Sequence, residues 1–352
     1  MRKTVLSLAS ALALLNVAWP SCVHAGELAT LRRLDAKTVE LRYAGDPQTA
    51  VWLSDDKALD DRDRRVTLAF EAGKATFALP VDRRVYVLLQ SGEDDPIVIA
   101  ERVLPLEQAS NFRDVGGYTT KDGRMVKWGK VYRSGAMPLL TESDYGYIED
   151  LRLDSIVDFR SLEEREVVPN MVDDRTGALF LANDYSIAAM MKDYEAEGRE
   201  NNYARMENFL RPQYRAVFRR IIANDGAVLY HCSAGQDRTG VATALLYDVL
   251  GVDRKTIVTD YHLSTQLRQT QWEMPEVDPK DYPGNFIVQY YVANRKAGKG
   301  PEPLYTPSGA SHIVQFMDYL DAQYGGAEGY LKDALGLSDA DIERLRTVML
   351  DG

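Results

Sequence analysis

His231-Cys232-Ser233-Ala234-Gly235-Gln236-Asp237-Arg238-Thr239-Gly240 is the stretch on which the reading of this chain turns. The short apolar run Ala227–Tyr230 before it is a predicted strand, and Thr239–Leu250 after it is a predicted helix closed by Gly251. The segment therefore spans the turn from a strand into a helix. Five residues separate Cys232 from Arg238, enough to curl into a cradle whose backbone N–H groups converge, and Gly235 permits the torsions such a nest needs. The helix opening near Arg238 aims its positive end at the same centre, where Arg238 offers a planar fork to two phosphoryl oxygens. Cys232 lies at the bottom of the cradle. The same field favours ionised sulfur, the form that attacks phosphorus.

Ser233, Ala234, Gly235, Gln236, Asp237 and Arg238 are thus the expected phosphate-binding residues. Attack by Cys232 on a phosphoryl group gives a phosphocysteine that water hydrolyses. No metal or other cofactor is called for, because backbone dipoles and Arg238 carry the charge stabilisation. The leaving oxygen needs a proton. Asp237 is the nearest acid and the first candidate, with pairing to an arginine or helix capping as its competing role. Asp184, which follows the predicted strand Ala178–Ala182, is the alternative general acid. Thr239 can donate its hydroxyl to the sulfur or cap the helix. His231 is read as a structural hydrogen-bonder beneath the loop. His262 and His312 stand apart from any cluster with metal-ligand spacing.

Outward from this segment, residues 106–352 alternate strands and helices, which argues α/β. Thr141 with Asp144 has the form of a capping box, and Ser155–Phe159 is a buried-strand candidate. Tyr203, Met206, Leu210, Tyr214, Val217, Phe218 and Ile221 fall at helical spacing, with a break or kink expected near Pro212. Residues 186–215, rich in Met, Tyr and charge, are expected to form a mobile helical cover. Residues 275–284 and 296–310 read as loops. Residues 26–105 differ in character. Runs at Thr38–Tyr43, Thr49–Leu53, Val66–Phe70, Ala75–Leu79, Arg84–Leu89 and Pro96–Val103, separated by turn residues, predict a small all-β sandwich. It carries no His and no Cys, and reads as a binding or spacer module.

Arg2 and Lys3, an apolar run from Val5 to Ala18, and Val23-His24-Ala25 form the pattern of an export signal over residues 1–25. The expected location is therefore periplasmic or secreted from a bacterial cell. The run is too short for a comfortable membrane span. Cleavage after Ala25 removes Cys22 and leaves Cys232 alone, so a monomeric dithiol redox enzyme is excluded. It also leaves 40 bases against 53 acids. That balance argues against nucleic acid and anionic membrane surfaces as partners. Phosphate must be held by a local site against an unfavourable overall field.

His231–Gly240 resembles the phosphate loop of cysteine-dependent phosphatases. More narrowly, the chain is similar to the atypical bacterial tyrosine phosphatases of triple specificity. Asn111–Tyr118, Val131–Gly135, Val157–Ser161 with Glu164, Asp260–Ser264 and the ending Tyr330-Leu331, Leu335-Gly336-Leu337 and Leu345-Arg346 match that group in order. The resemblance covers about 106–352. It implies an α/β fold with a cysteine-phosphatase-like central sheet flanked by helices, here preceded by the sandwich. It also implies Cys232 as nucleophile, Arg238 as phosphate clamp, Asp237 as loop acid, and activity toward phosphotyrosine, often with phosphoserine, phosphothreonine or phosphoinositides. Arg113, Asp114, Arg133 and Arg160 are expected to line or brace the site. Gln236 stands where many relatives carry lysine, which weakens the phosphoinositide reading. The expected substrate is a phosphorylated protein, peptide or small phosphomonoester. The alternatives are an inositol-polyphosphate or phosphoinositide phosphatase and a non-catalytic phosphate-binding module. Oligomeric state is left open.

Overall fold

The computed structural model describes residues 29–93, 95–190, 202–298 and 300–351. The expected export segment with Cys22, and residues 191–201 of the expected cover, lie outside them.

Strands β1 (Ala29–Arg33), β2 (Thr38–Tyr43) and β5 (Lys74–Ala78) form one antiparallel sheet in the order β1-β2-β5. A second has the order β4-β3-β6-β7, from β3 (Ala50–Ser54), β4 (Arg64–Val66), β6 (Tyr86–Gln90) and β7 (Ile97–Ala100). Alternation explains the pairing. Val39, Leu41 and Tyr43 of β2 point inward, and meet Val51, Leu53, Val87, Leu89 and Ile99 across a shared core. Two expectations are corrected here. The ladder expected at Val66–Phe70 stops at Val66, and Leu68 and Phe70 pack against the core without pairing. Strand β1 was not foreseen, because only Leu31 of its five residues is buried and the alternation is weak.

Strand β6 is buried on both faces. Its Val87 and Leu89 serve the sandwich core, while Tyr86 and Leu88 pack with Ala100 and Trp128 on the other side. The sandwich therefore docks on the rest of the chain. A buried ion pair pins the junction: Arg84 Nη2 donates to Asp114 Oδ2 at 2.7 Å.

The second part is built on a five-stranded sheet of order β11-β10-β12-β9-β8, from β8 (Arg113–Asp114), β9 (Val131–Ser134), β10 (Leu153–Asp158), β11 (Leu179–Ala182) and β12 (Ala227–His231). All pairs are parallel except β8 with β9. Helices cover both faces, as a parallel sheet requires. One face carries α1 (Glu142–Asp150) and α3 (Val172–Thr176), whose Tyr147, Ile148 and Val172 join a core with Ile156 and Leu229. The helix α2 (Leu162–Val167) follows β10. The other face carries α4 (Asn202–Ala223), α5 (Asp237–Val249), α6 (Arg254–Leu267), α8 (His312–Tyr324), α9 (Ala327–Asp333) and α10 (Asp339–Met349); α7 (Phe286–Lys296) lies between α6 and α8 in the chain.

Thr141 caps α1 through the reciprocal bonds expected with Asp144. Helix α4 runs through Pro212 without ending, held by buried Leu210, Tyr214 and Val217 on either side of it. The described part of the expected cover is thus a core helix, with Tyr203, Met206 and Leu210 in the main cluster. No helix among the described residues is long and apolar enough to cross a membrane.

Candidate active site

The register of the parallel sheet places Ser134, His231 and Asp158 in one row at the carboxyl ends of their strands. Loops leaving such a row are where open α/β sheets bind ligands. Here they carry Gly135, the segment Phe159–Glu164, and Cys232–Gln236. Cys232 follows directly on β12 and is 1% exposed. Helix α5 begins at Asp237, so its first N–H groups face the end of the loop without intrahelical acceptors.

The loop carbonyls are tied outward. Ser233 O accepts from Ala136 N–H at 2.9 Å, Ala234 O from Asn111 Nδ2 at 3.2 Å, and Gly235 O from Asn111 Nδ2 and Arg133 Nη2, each at 2.8 Å. In a trans peptide C=O and N–H point in opposite directions. The N–H groups of Ala234, Gly235 and Gln236 are therefore turned to the inner side, and none meets an acceptor among the described residues. Gly235 sits at φ +65°, and a Cβ there would come within 2.6 Å of Ser134 O, so conformation and space both require glycine.

Behind the loop, Arg113 and Arg133 share one carboxylate. Arg113 Nη2 lies 3.2 Å and Arg133 Nη1 3.1 Å from Asp260 Oδ2, all three side chains buried. Burial works against the Asp260 charge, but the two guanidinium groups prevail and hold it below the usual carboxylate range. Two cations to one anion leave a net positive charge beneath the loop. Arg113 also donates to Asn111 Oδ1, which orients the amide that grips Ala234 and Gly235.

Arg238 is held by a bidentate ion pair, Nη1 to Glu164 Oε2 at 2.6 Å and Nη2 to Glu164 Oε1 at 2.7 Å. Nη1 also donates to Tyr185 Oη at 2.8 Å and Phe159 O at 3.2 Å. Nothing among the described residues accepts from its Nε. Glu164 takes Ser233 Oγ as well, and its Oε2 accepts Ser161 N–H at 2.8 Å, closing the capping box of α2. Burial pushes the Glu164 carboxyl up, and the charge of Arg238 more than offsets it, so the acid lies below its ordinary range.

The tyrosine phosphatase family model matches residues 104–351. The chain belongs to that family. It is a phosphatase, and phosphorylated molecules are its substrates. A putative tyrosine-protein phosphatase of Cupriavidus necator is 31% identical over 266 residues, 71% of this chain and 89% of that protein. A tyrosine-protein phosphatase of Nostoc commune is 31% identical over 228 residues, 61% of this chain and 72% of its own. A triple specificity protein phosphatase of Mycobacterium tuberculosis is 26% identical over 290 residues, covering 72% of this chain and all of that protein, 100%. The β sandwich lies ahead of the matched region.

Around the loop the expected residues part company. Asp237 stands at the start of α5, and its Oδ1 accepts the hydroxyl of Tyr203. Asp184 is exposed and paired with Arg165, while its neighbour Tyr185 turns inward to Arg238. Gln236 is buried, with its Oε1 bonded to Arg268, whose guanidinium pairs with Glu273 at 2.6 Å. His231 lies beneath the loop: Asn170 Oδ1 accepts Val172 N–H, so Nδ2, 3.1 Å from His231 Nε2, is the donor there. Burial lowers the imidazole to about 4, against the pull of Asp158. Thr239 Oγ1 is buried and makes no hydrogen bond among the described residues, to sulfur or to backbone. Arg160 is occupied by Asp158 at 2.7 Å and Val168 O at 2.6 Å. With Glu164, Ser233, Met274, Ile287 and Tyr291 it lines a small cleft beside the loop. Asp114 is not brought to the loop. Its oxygens are filled by Arg84 and the N–H groups of Gly116 and Gly129, because β8 runs along the sandwich junction. Glu164, Asn111 and Asp260, which the resemblance placed in matching motifs without a role, and Tyr185 and Tyr203, which it did not single out, also surround the loop. Ser161-x-x-Glu164 was a visible signal for the first of these. Among the described residues no group of three His, Cys, Asp or Glu could hold a metal ion.

Proposed function

We propose that this chain is an exported phosphatase that hydrolyses phosphotyrosine in proteins or peptides through a phosphocysteine on Cys232. The observation that carries this reading is the set of outward-tied carbonyls at Ser233, Ala234 and Gly235, which turns successive N–H groups to one side next to a buried sulfur. Those groups donate to the three non-bridging oxygens of the phosphoryl group. Arg238, fixed by Glu164, adds its Nε. Sulfur attacks phosphorus as the P–O bond to the leaving group breaks, and Asp237 delivers a proton to the departing oxygen. Water then attacks the phosphocysteine, its proton goes to the Asp237 carboxylate, and the P–S bond breaks to release phosphate and thiolate.

Depth favours phosphotyrosine. Cys232 is 1% exposed, so the phosphoryl group must descend to it, and a phenyl arm reaches further than the side chain of serine or threonine. At the position after Gly235, the amide of Gln236 offers no charge to a second phosphate, and the neighbouring Arg268 is already matched by Glu273. Export is supported by the basic start, apolar run and Val23-His24-Ala25 of residues 1–25.

The test is turnover on phosphotyrosine, phosphoserine and phosphothreonine peptides, phytate and phosphoinositides by the wild type, Cys232→Ser and Asp237→Asn. Phosphotyrosine peptide should lead, Cys232→Ser should be inactive, and Asp237→Asn should lose more on poor leaving groups than on activated aryl esters. A lead for phytate or phosphoinositides would overturn the substrate assignment.

A further inference from the structure

We infer that Tyr203 is a positioning residue for Asp237: its hydroxyl claims one carboxyl oxygen and so fixes the other as the oxygen that carries the transferable proton. The inference rests on the proposed role of Asp237 as proton donor. Tyr203 comes from helix α4, thirty-four residues before Asp237 in the chain, and is independent of the loop sequence.

Tyr203 Oη donates to Asp237 Oδ1, and Tyr261 Oη lies 2.6 Å from Tyr203 Oη. Tyr203 has one hydroxyl proton. Once it is given to Asp237, the contact with Tyr261 requires Tyr261 to donate, so the chain runs from Tyr261 to Tyr203 to Oδ1. Burial, and then the negative charge of Asp237, raise both phenols well above their ordinary range, so both stay protonated.

Protonation of Asp237 could in principle reverse the chain, with Oδ1–H donating to Tyr203 and Tyr203 to Tyr261. The buried Tyr261 hydroxyl would then need another acceptor, and none lies within bonding distance among the described residues. Leaving a buried donor unmet is unfavourable. The proton therefore resides on Oδ2, which makes no hydrogen bond among the described residues. Packing fixes the phenol that sets this choice. The Tyr203 ring stacks on His312 at 5.3 Å and 25°, and meets Tyr261 edge-on at 78°.

Proton accounting is simple. In the first step Oδ2–H passes its proton to the leaving oxygen as the P–O bond breaks, and Asp237 is left as carboxylate. In the second, that carboxylate takes a proton from the attacking water as the P–S bond breaks. Tyr203 keeps its own proton throughout.

The experiment uses Tyr203→Phe, Asp237→Asn and the double variant of the full chain, with phenyl phosphate as poor and p-nitrophenyl phosphate as good leaving-group substrate. Thermal melts and vanadate binding control for folding. General acids contribute roughly 10²–10⁴-fold, so loss of their orientation should lower the rate of leaving-group release in the first turnover about tenfold on phenyl phosphate with KM unchanged, and by less than about twofold on p-nitrophenyl phosphate. In the Asp237→Asn background Tyr203→Phe should add nothing further. If Tyr203→Phe fails to fold, Tyr261→Phe carries the same test, with a smaller effect in the same sense.

Equal losses on both substrates, a change in KM alone, or full additivity with Asp237→Asn would overturn the inference. Should Asp237→Asn itself slow both substrates equally, the proton-donor reading fails and the inference falls with it. Should Asp237→Asn discriminate while Tyr203→Phe does not, only the inference fails.

Discussion

Replacing Glu164 by Gln tests how Arg238, the proposed phosphate clamp, is held. Oε2 accepts Arg238 Nη1 at 2.6 Å and Ser161 N–H at 2.8 Å, while Oε1 accepts Arg238 Nη2 at 2.7 Å and Ser233 Oγ. Whichever oxygen becomes NH2, that group faces two donors, one of them the guanidinium, so no rotation of the amide restores the pattern. Arg238 is 8% exposed and would keep a buried charge without its counter-ion, a situation that costs about 3–5 kcal/mol. With urea slopes of roughly 1–3 kcal/mol/M and larger for long chains, the midpoint should fall by about 1 M or more. A clamp displaced by an ångström should also lower kcat about 100-fold, with weaker vanadate binding. The pH range matters. Glu164 lies below its ordinary 4.5 in the folded chain, so its contribution is full above that pH and is lost as pH falls through the lower folded value. Urea unfolding and steady-state kinetics should therefore be run near pH 7. A Gln variant that unfolds at the wild-type midpoint and turns over within about twofold of wild type would refute the reasoning.

Three further outcomes follow from the geometry. Gly235→Ala places a Cβ within 2.6 Å of Ser134 O at φ +65°; turnover should fall about 100-fold while far-UV circular dichroism is preserved, and an active variant would mean the loop is not so constrained. His231 titrates at about 4 rather than 6.5, so the unfolded chain binds its proton more readily. Stability is full above about pH 6.5 and declines toward pH 4 by on the order of 3 kcal/mol, and His231→Gln should flatten the pH dependence of the urea midpoint over that window. Arg84→Met leaves Asp114 buried and unpaired and should destabilise the protein by about 3–5 kcal/mol. Arg84→Met with Asp114→Leu should recover much of that loss, read by thermal melting.

Legibility in the sequence followed the range of each interaction. Strand Thr38–Tyr43 was readable because alternation is a local property, and so were β12, the loop and α5, because strand, glycine and helix start are contiguous. Strand β1 was not, since it is recruited by its antiparallel partner rather than by its own pattern. Pro212 suggested a break or kink, and tertiary burial of Leu210 and Tyr214 carries the helix through without a break. Around the loop, the bracing arginines Arg113 and Arg133 were legible, and the roles of the groups that hold them and Arg238 were not. Asn111 and Glu164 reach Cys232–Arg238 directly and Asp260 reaches it through Arg133, from three distant segments, and only topology brings them together. Asp114 adjoins Arg113 in sequence, yet successive side chains of a strand face opposite ways. Arg113 turns to the loop supports and Asp114 to the sandwich.

The central claim is a covalent bond between phosphorus and one sulfur. Wild-type protein and Asp237→Asn, mixed with p-nitrophenyl phosphate, whose leaving group departs without a proton donor, should be quenched in acid within milliseconds and digested for mass spectrometry. A phosphoryl group on the peptide containing Cys232, accumulating in Asp237→Asn, is the predicted result. Steady release of phosphate with no adduct at any time, and Cys232→Ser still turning over, would contradict it.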